Sequence, residues 1–455
     1  VTQLLIYKVG SADEVAGQTG LAHFLEHMMF KGTTATGPGD FSRLVARTGG
    51  RDNAFTDFDV TGYYQTVAAD QLELVMRLEA DRMVNLRLSE RELVPERQVV
   101  LEERRMRVEN SPAALLGEAV RDQLFGHRKP YGMPTSGLPE DVKRLGVNEL
   151  TAFYRKYYAP NNAVLIVAGD TNAAAAGKLA EKYYGPIARR PVEARKRPSE
   201  GSPGLPQKVQ RADVRVAEPR WSRDYLAPSY RTGETRHAYA LTVLAHVFGG
   251  GETSRLSQAL VDRDKVALSV SAGYRPSVLG LTSFDVSVHP APGKTMTEID
   301  AAVSDEMKKL LDGGLTAEEL ERSQNQLLAA AIYSQDSLSS GPRFYGGALG
   351  VGLTVADVND WPRRIAAVTR EDVAAARHVL CRLCKRMHGR RLSAACEKHV
   401  KRHGTSVEIR WVPPGRSLVR EWDDRDRRSA AGDAPPGRRA ATAPSATETR
   451  SRAAT

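Results

Sequence analysis

The sequence predicts an α+β protein of two domains in similar style, followed by a disordered basic C-terminal tail. Three observations carry that expectation. At 455 residues the chain exceeds what one hydrophobic core usually organises. Strand-like and helix-like apolar patterns alternate along both halves. A stretch rich in proline, glycine, serine and charge separates the halves and reads as a linker at 191–208. The first domain is therefore expected at 1–190, the second at 209–413 and the tail at 414–455.

In the first half, Leu4–Val9 is an apolar run that reads as a strand. A helix is expected from about Leu21, and Phe41–Ala46 is a short helix ended by Gly49-Gly50. Thr61–Val67 alternates and is rich in Tyr and Thr, so it reads as a strand. Ala69–Val84 and Glu90–Val108 read as helices, and Ala163–Ala168 as a buried strand stopped by Gly169-Asp170. In the second half, Asp224–Ala227, Ser269–Tyr274 and Gly280–His289 are strands, while His237–Phe248, Met296–Leu311 and Ala317–Ser334 are helices. The similar length and order of the halves point to a duplicated unit. No run approaches the roughly 18 apolar residues that span a bilayer. The chain opens directly on a strand at Val1, so a preceding segment with any targeting signal is expected to be missing.

The net charge of +10 belongs to the tail: 19 Lys and Arg against 8 Asp and Glu lie from Arg377 onward, and the body is close to neutral. That tail has almost no aromatics for base stacking, which argues against nucleic acid as a partner. All three cysteines, Cys381, Cys384 and Cys396, fall in the same region. With His399 they imitate a zinc-finger spacing. The competing reading is a stretch beyond Leu380 that was never selected for folding. Val407–Val412 offers a closing strand, and from Gly432 there is little to bury, so disorder is expected.

The chemistry concentrates in His23-Phe24-Leu25-Glu26-His27. On a helix, residues i and i+4 share a face, so His23 and His27 can offer two imidazoles to one metal ion. Glu26 lies on the same side, placed to meet water rather than the metal. Zinc lowers the pKa of bound water to roughly 7, and a neighbouring carboxylate can then take its proton. A catalytic zinc needs a third protein ligand. Glu96 and Glu103 are two helical turns apart on one face, and Glu102 points about a third of a turn away. Spacing alone leaves the choice among these glutamates open.

The stretch Gly10-Ser11-Ala12-Asp13-Glu14, followed by Gly20 through His23-Phe24-Leu25-Glu26-His27 to Phe30-Lys31-Gly32-Thr33, resembles the signature of the pitrilysin/insulinase-type (inverzincin) zinc metallopeptidases. Bacterial zinc proteases and the zinc-bearing subunit of the mitochondrial processing peptidase are the members it resembles most. The resemblance spans about residues 1–376 and implies two similar domains, each a mostly antiparallel sheet packed with helices. It implies one Zn²⁺ held by His23, His27 and Glu103, the last lying 76 residues after His27. It makes Glu26 the general base of a metalloendopeptidase and gives Glu96 the task of orienting a histidine. Gly49 through Thr56 resembles the family's edge strand, so Asn53, Ala54 and Phe55 are expected to receive peptide substrate by β-addition. Phe248-Gly249-Gly250-Gly251-Glu252 resembles the matching stretch of the second domain, and no Lys-Ser/Thr follows to make it a phosphate loop.

One departure matters. Members complete in one chain carry an Arg and a Tyr in the second domain that bind the substrate carbonyl. Here those places fall on Val261 and Leu268. The resemblance then implies a homologous partner subunit that supplies the pair, in a heterodimer acting on peptides or unfolded segments. Arg343 and Tyr345 are in-chain substitutes to weigh, against the plainer reading of two surface side chains. The alternative class is a non-catalytic assembly subunit of a larger complex, although such subunits tend to lose the ligands that are intact here. The bacterial resemblance sets the expected location, periplasmic or cell-envelope.

Overall fold

The computed structural model describes residues 1–126, 129–195, 197, 208–376 and 407–410. The cluster of Cys381, Cys384, Cys396 and His399, linker residues 198–207 and the tail from 411 lie outside the described residues.

The first sheet is antiparallel throughout. Strand β1 (Thr2–Tyr7) is buried along its whole length, which is why it reads as a continuous apolar run. Strands β2 (Arg51–Thr56), β3 (Thr61–Thr66) and β4 (Ala163–Ala168) complete it in the order β2-β3-β1-β4, leaving one side of β2 as a free edge. The alternation of β1 divides two packing surfaces. Leu5 and Tyr7 face one core with α1 (Leu21–Met28), while Leu4 and Ile6 face the other side of the sheet. Helices α2 (Asp40–Arg47), α3 (Leu72–Asn85) and α4 (Glu90–Arg104) follow in order. Within α3 the buried Arg82 pairs with Glu79 and stacks on Phe30, Phe41 and Tyr63, tying that helix to the sheet and to the segment after α1.

In the first half, four helices fall where sequence patterning assigned nothing: α5 (Pro112–Phe125), α6 (Pro139–Val142), α7 (Val147–Tyr157) and α8 (Ala173–Tyr184). Helix α8 closes the first half.

The second sheet contains β5 (Lys208–Gln210), β6 (Trp221–Ala227), β7 (Ala267–Tyr274) and β8 (Thr282–Pro290), with α9 (Ala238–Gly249) packed on β7. Helices α10 (Met296–Gly313), α11 (Ala317–Tyr333) and α12 (Ser340–Gly350) follow, and β9 (Val407–Arg410) enters the sheet between β5 and β6. Among the described residues, only the β5–β9 pair is parallel. The last strand starts where the sequence offered a closing strand.

The two halves exchange helices. Helix α12 lies on the first sheet, against β1 and β4. A Cβ added at Gly346 would come within 2.9 Å of Ile6 and 3.0 Å of Leu4, so the helix approaches this closely only because that residue is glycine. In return α5 covers the second sheet, with Val120 and Leu124 packed against Leu226 and Leu281. The start of the linker region takes part as well. Arg197 bridges Asp13 at 2.8 Å and Asp59 at 3.0 Å, and Arg195 donates to the carbonyl of Gly350 at 2.6 Å. Asp59 also accepts from Tyr131 at 2.7 Å and from the backbone N–H of Leu279 at 2.9 Å. One buried polar hub thus joins the β2–β3 turn to both halves.

Candidate metal centre

Helix α1 starts at Gly20, whose φ of 86° is in the left-handed region that favours glycine. The carboxylate of Glu14 accepts from the backbone N–H groups of Gly20 and Ala22, both at 2.8 Å, and so satisfies the open end of the helix. Leu21, Phe24, Leu25 and Met28 bury one face of α1. The opposite face presents His23, Glu26 and His27 to a cleft. Helix α4 supplies Glu96 and Glu103 from the other wall.

The ligand atoms of His23, His27 and Glu103 all lie within 4.8 Å of one another. His27 Nε2 is 3.0 Å from Glu103 Oε2, and His23 Nε2 is 3.7 Å from the same oxygen, too far to hydrogen-bond. His23 is also without a partner at its buried Nδ1. His23 Nε2 thus faces the carboxylate with no hydrogen bond to it, and two imidazoles with a carboxylate are a donor set suited to zinc. The residues present therefore fit that metal. On its other side, His27 Nδ1 lies 2.9 Å from Glu96 Oε1, the outer contact that orients metal-binding histidines. Glu102 points away: it is half-exposed and paired with Arg105 at 2.7 Å.

The charges are arranged as a metal site would need. Burial, helped by the neighbouring His27, lowers His23 to about 4, so it stays neutral. Burial pulls His27 down too, but the carboxylates of Glu103 and Glu96 at its two nitrogens outweigh that and hold it at about 9. Without metal, a proton on His27 takes the place of the cation. Burial pushes the Glu26 carboxyl up, and the Thr56 hydroxyl, donating to Glu26 Oε2 at 2.6 Å, works against it.

The cleft holds about 510 Å³ and is lined along one side by Asn53, Ala54, Phe55 and Thr56 of the edge strand β2. The structure thus brings His23, Glu26, His27, Glu96 and Glu103 together with Asn53, Ala54 and Phe55. It does not bring in Val261, which packs against the second core, or Leu268, which is half-exposed on β7. Arg343 and Tyr345 are also elsewhere. Arg343 stacks on Phe55 and Tyr64, and Tyr345 donates to Asn359 at 2.5 Å, so both have structural partners. Three side chains at the site were given no role from the sequence: Thr56 and Lys31, which lie inside the stretches that carry the family resemblance, and Arg107.

Fold and site together define a chain of two-domain style whose candidate metal-ligand cluster sits in the first half. It belongs to the insulinase family, peptidase family M16, whose description matches residues 1–134; that of the peptidase M16 inactive domain matches residues 144–327. Among curated relatives, a zinc protease of Helicobacter pylori is 30% identical over 337 residues, covering 74% of this chain and 75% of that one. An uncharacterised zinc protease of Mycobacterium tuberculosis is 31% identical over 384 residues, covering 82% of this chain and 84% of that one. Among solved structures, a Helicobacter pylori protease superposes with a TM-score of 0.77 at 25% identity, covering 90% of this chain and 93% of that one. Pitrilysin shares the fold, with a TM-score of 0.73 at 14% identity over 91% of this chain and 42% of its own length. No helix among the described residues is long and apolar enough to cross a membrane.

Proposed function

We propose that the chain is a zinc-dependent endopeptidase acting on peptides or unfolded segments, as the zinc-bearing subunit of a heterodimer. The observation that carries the reading is the convergence of His23, His27 and Glu103 with Glu26 beside them. When bound, zinc supplies Lewis acidity toward a peptide carbonyl and water. The chain's own residues do the rest. Edge strand β2 offers its free backbone groups to an extended peptide and lays it along the cleft. Glu26, held by Thr56, takes the proton of the attacking water and returns it to the departing amine. Glu96 keeps the His27 ring in place.

Val261 and Leu268 cannot steady the negative charge that develops on the carbonyl oxygen, so a homologous partner brings the Arg and Tyr. The bacterial origin of the relatives supports a bacterial source, with the periplasm or cell envelope as the location to test by fractionation. The deciding assay is hydrolysis of an unstructured peptide by the zinc-loaded chain, alone and with a homologue that lacks the histidine pair and carries the Arg and Tyr. The chain alone should be nearly inactive and the pair active. Robust turnover by a verified monomer refutes the partner, and no turnover by either refutes the peptidase.

A further inference from the structure

Two cations occupy matching places around the donor set. Lys31 Nζ pairs with Glu96 Oε2, the oxygen turned away from His27, while Oε1 lies 2.9 Å from His27 Nδ1. Arg107 Nη1 lies 2.6 Å from Glu103 Oε1, while Oε2 lies 3.0 Å from His27 Nε2. Each glutamate is gripped at its outer oxygen and presents its inner oxygen to the histidine. The two cations reach the site from different elements. Lys31 follows the end of α1, and Arg107 sits in a π-helical turn, Arg105–Glu109, that continues α4. Wide turns of that kind are rare and recur at functional places. The third cation of the cleft, Arg104, is occupied elsewhere, by both oxygens of Glu118 at 2.9 Å and by Ser136.

We propose that Lys31 and Arg107 are positioning residues for the zinc ligands, fixing which oxygen of Glu96 and of Glu103 faces His27. The proposal rests on the zinc reading above. A carboxylate has two equivalent oxygens and rotates easily, so a ligand or an orienting partner left free can present either one. A charge-assisted bond to one oxygen removes that freedom and leaves the other aimed inward. Charge alone argues the opposite way, because a cation near the site repels a dication. If Lys31 and Arg107 were plain cleft charges, removing them would leave zinc affinity unchanged or raise it. The sign of the change therefore separates the two accounts.

The experiment measures zinc affinity of the metal-free full-length chain by chelator competition, for the wild type, Lys31→Met, Arg107→Met and the conservative Lys31→Arg. Cobalt spectra report the ligand geometry, and melting of the metal-free proteins checks the fold. Lys31 is 27% exposed and Arg107 75% exposed, so neither truncation opens a core cavity. Both methionine variants should bind zinc roughly 10- to 100-fold more weakly, the cost seen for other outer contacts of metal ligands. Lys31→Arg should recover most of that loss, cobalt bands should shift in the methionine variants, and metal-free melting should stay at the wild-type value. Affinity equal to or tighter than wild type in both methionine variants overturns the proposal. A wild-type chain that takes up zinc with these variants unchanged sinks only this inference. A wild-type chain that takes up none sinks the zinc reading as well.

Discussion

Thr56 donates a 2.6 Å hydrogen bond to Oε2 of Glu26, joining the last residue of the edge strand to the acid on helix α1. The strand that would receive a peptide thus also aims the group that would take a proton. Removing the carboxylate's charge should separate binding from chemistry. Glu26→Gln is expected to keep its zinc and lose about 100-fold or more in peptide hydrolysis, because the amide cannot accept the proton. Metal analysis alongside turnover checks this, and wild-type rates from a verified variant would end the assignment.

The third ligand is tested by charge removal on α4. Glu103→Gln should lose bound zinc, since its Oε2 faces the Nε2 atoms of both histidines. Glu102→Gln should bind zinc as the wild type does, because that side chain is turned outward to Arg105. Loss of metal from the second variant with retention in the first would reverse the choice.

Zinc uptake should depend on pH in a defined direction. With His27 held at about 9, metal must displace a proton from that ring. Below that value each lower pH unit should weaken apparent zinc affinity by about tenfold, with close to one proton released. Calorimetry in buffers of different ionisation enthalpy counts the proton. A flat affinity from pH 8 to 6 would contradict the arrangement.

A stability effect is expected far from the histidine pair. Asp224 on β6 stands directly opposite Asp285 on β8. Burial, with the charge of Asp285 added to it, raises Asp224 to about 7. A carboxyl raised in the folded state holds its proton more tightly there than in the unfolded chain. Its contribution is therefore complete below about pH 4 and is lost as pH rises toward 7. Asp224→Asn should be more stable than wild type at pH 8 by on the order of 1–3 kcal/mol and lose that advantage at low pH. Thermal melts of the two metal-free proteins across pH 4–8 measure the difference, and parallel curves would refute it.

The site was readable in unequal degrees. His23, Glu26 and His27 are legible because a helix places neighbours three and four residues apart on one face. Glu103 is not legible that way, since spacing offered Glu96, Glu102 and Glu103 alike, and only the offset from His27 in the family resemblance singled it out. Thr56, Lys31 and Arg107 act through partners brought close by the fold, and no local pattern announces such a contact. The strands show the same limit. β1 is legible as a run buried on both faces, yet nothing in it says that α12, over 300 residues away, covers one of them. Helix α5 mixes Leu116, Val120 and Leu124 with Glu118 and Arg121, which serve an ion pair with Arg104 and a stack on Phe58. That mixture blurs its apolar stripe.

The exchange of α5 and α12 means that the halves are not interchangeable parts. A fragment ending near 190 would keep α5 with no sheet to cover and would bare Leu4, Ile6, Val60, Val164 and Ile166 to water. Such a piece presents an apolar sheet face and invites association. A nick in the intervening segment should leave the two pieces clasped, each still wearing the other's helix. Making the halves as separate chains should succeed only when both are produced together.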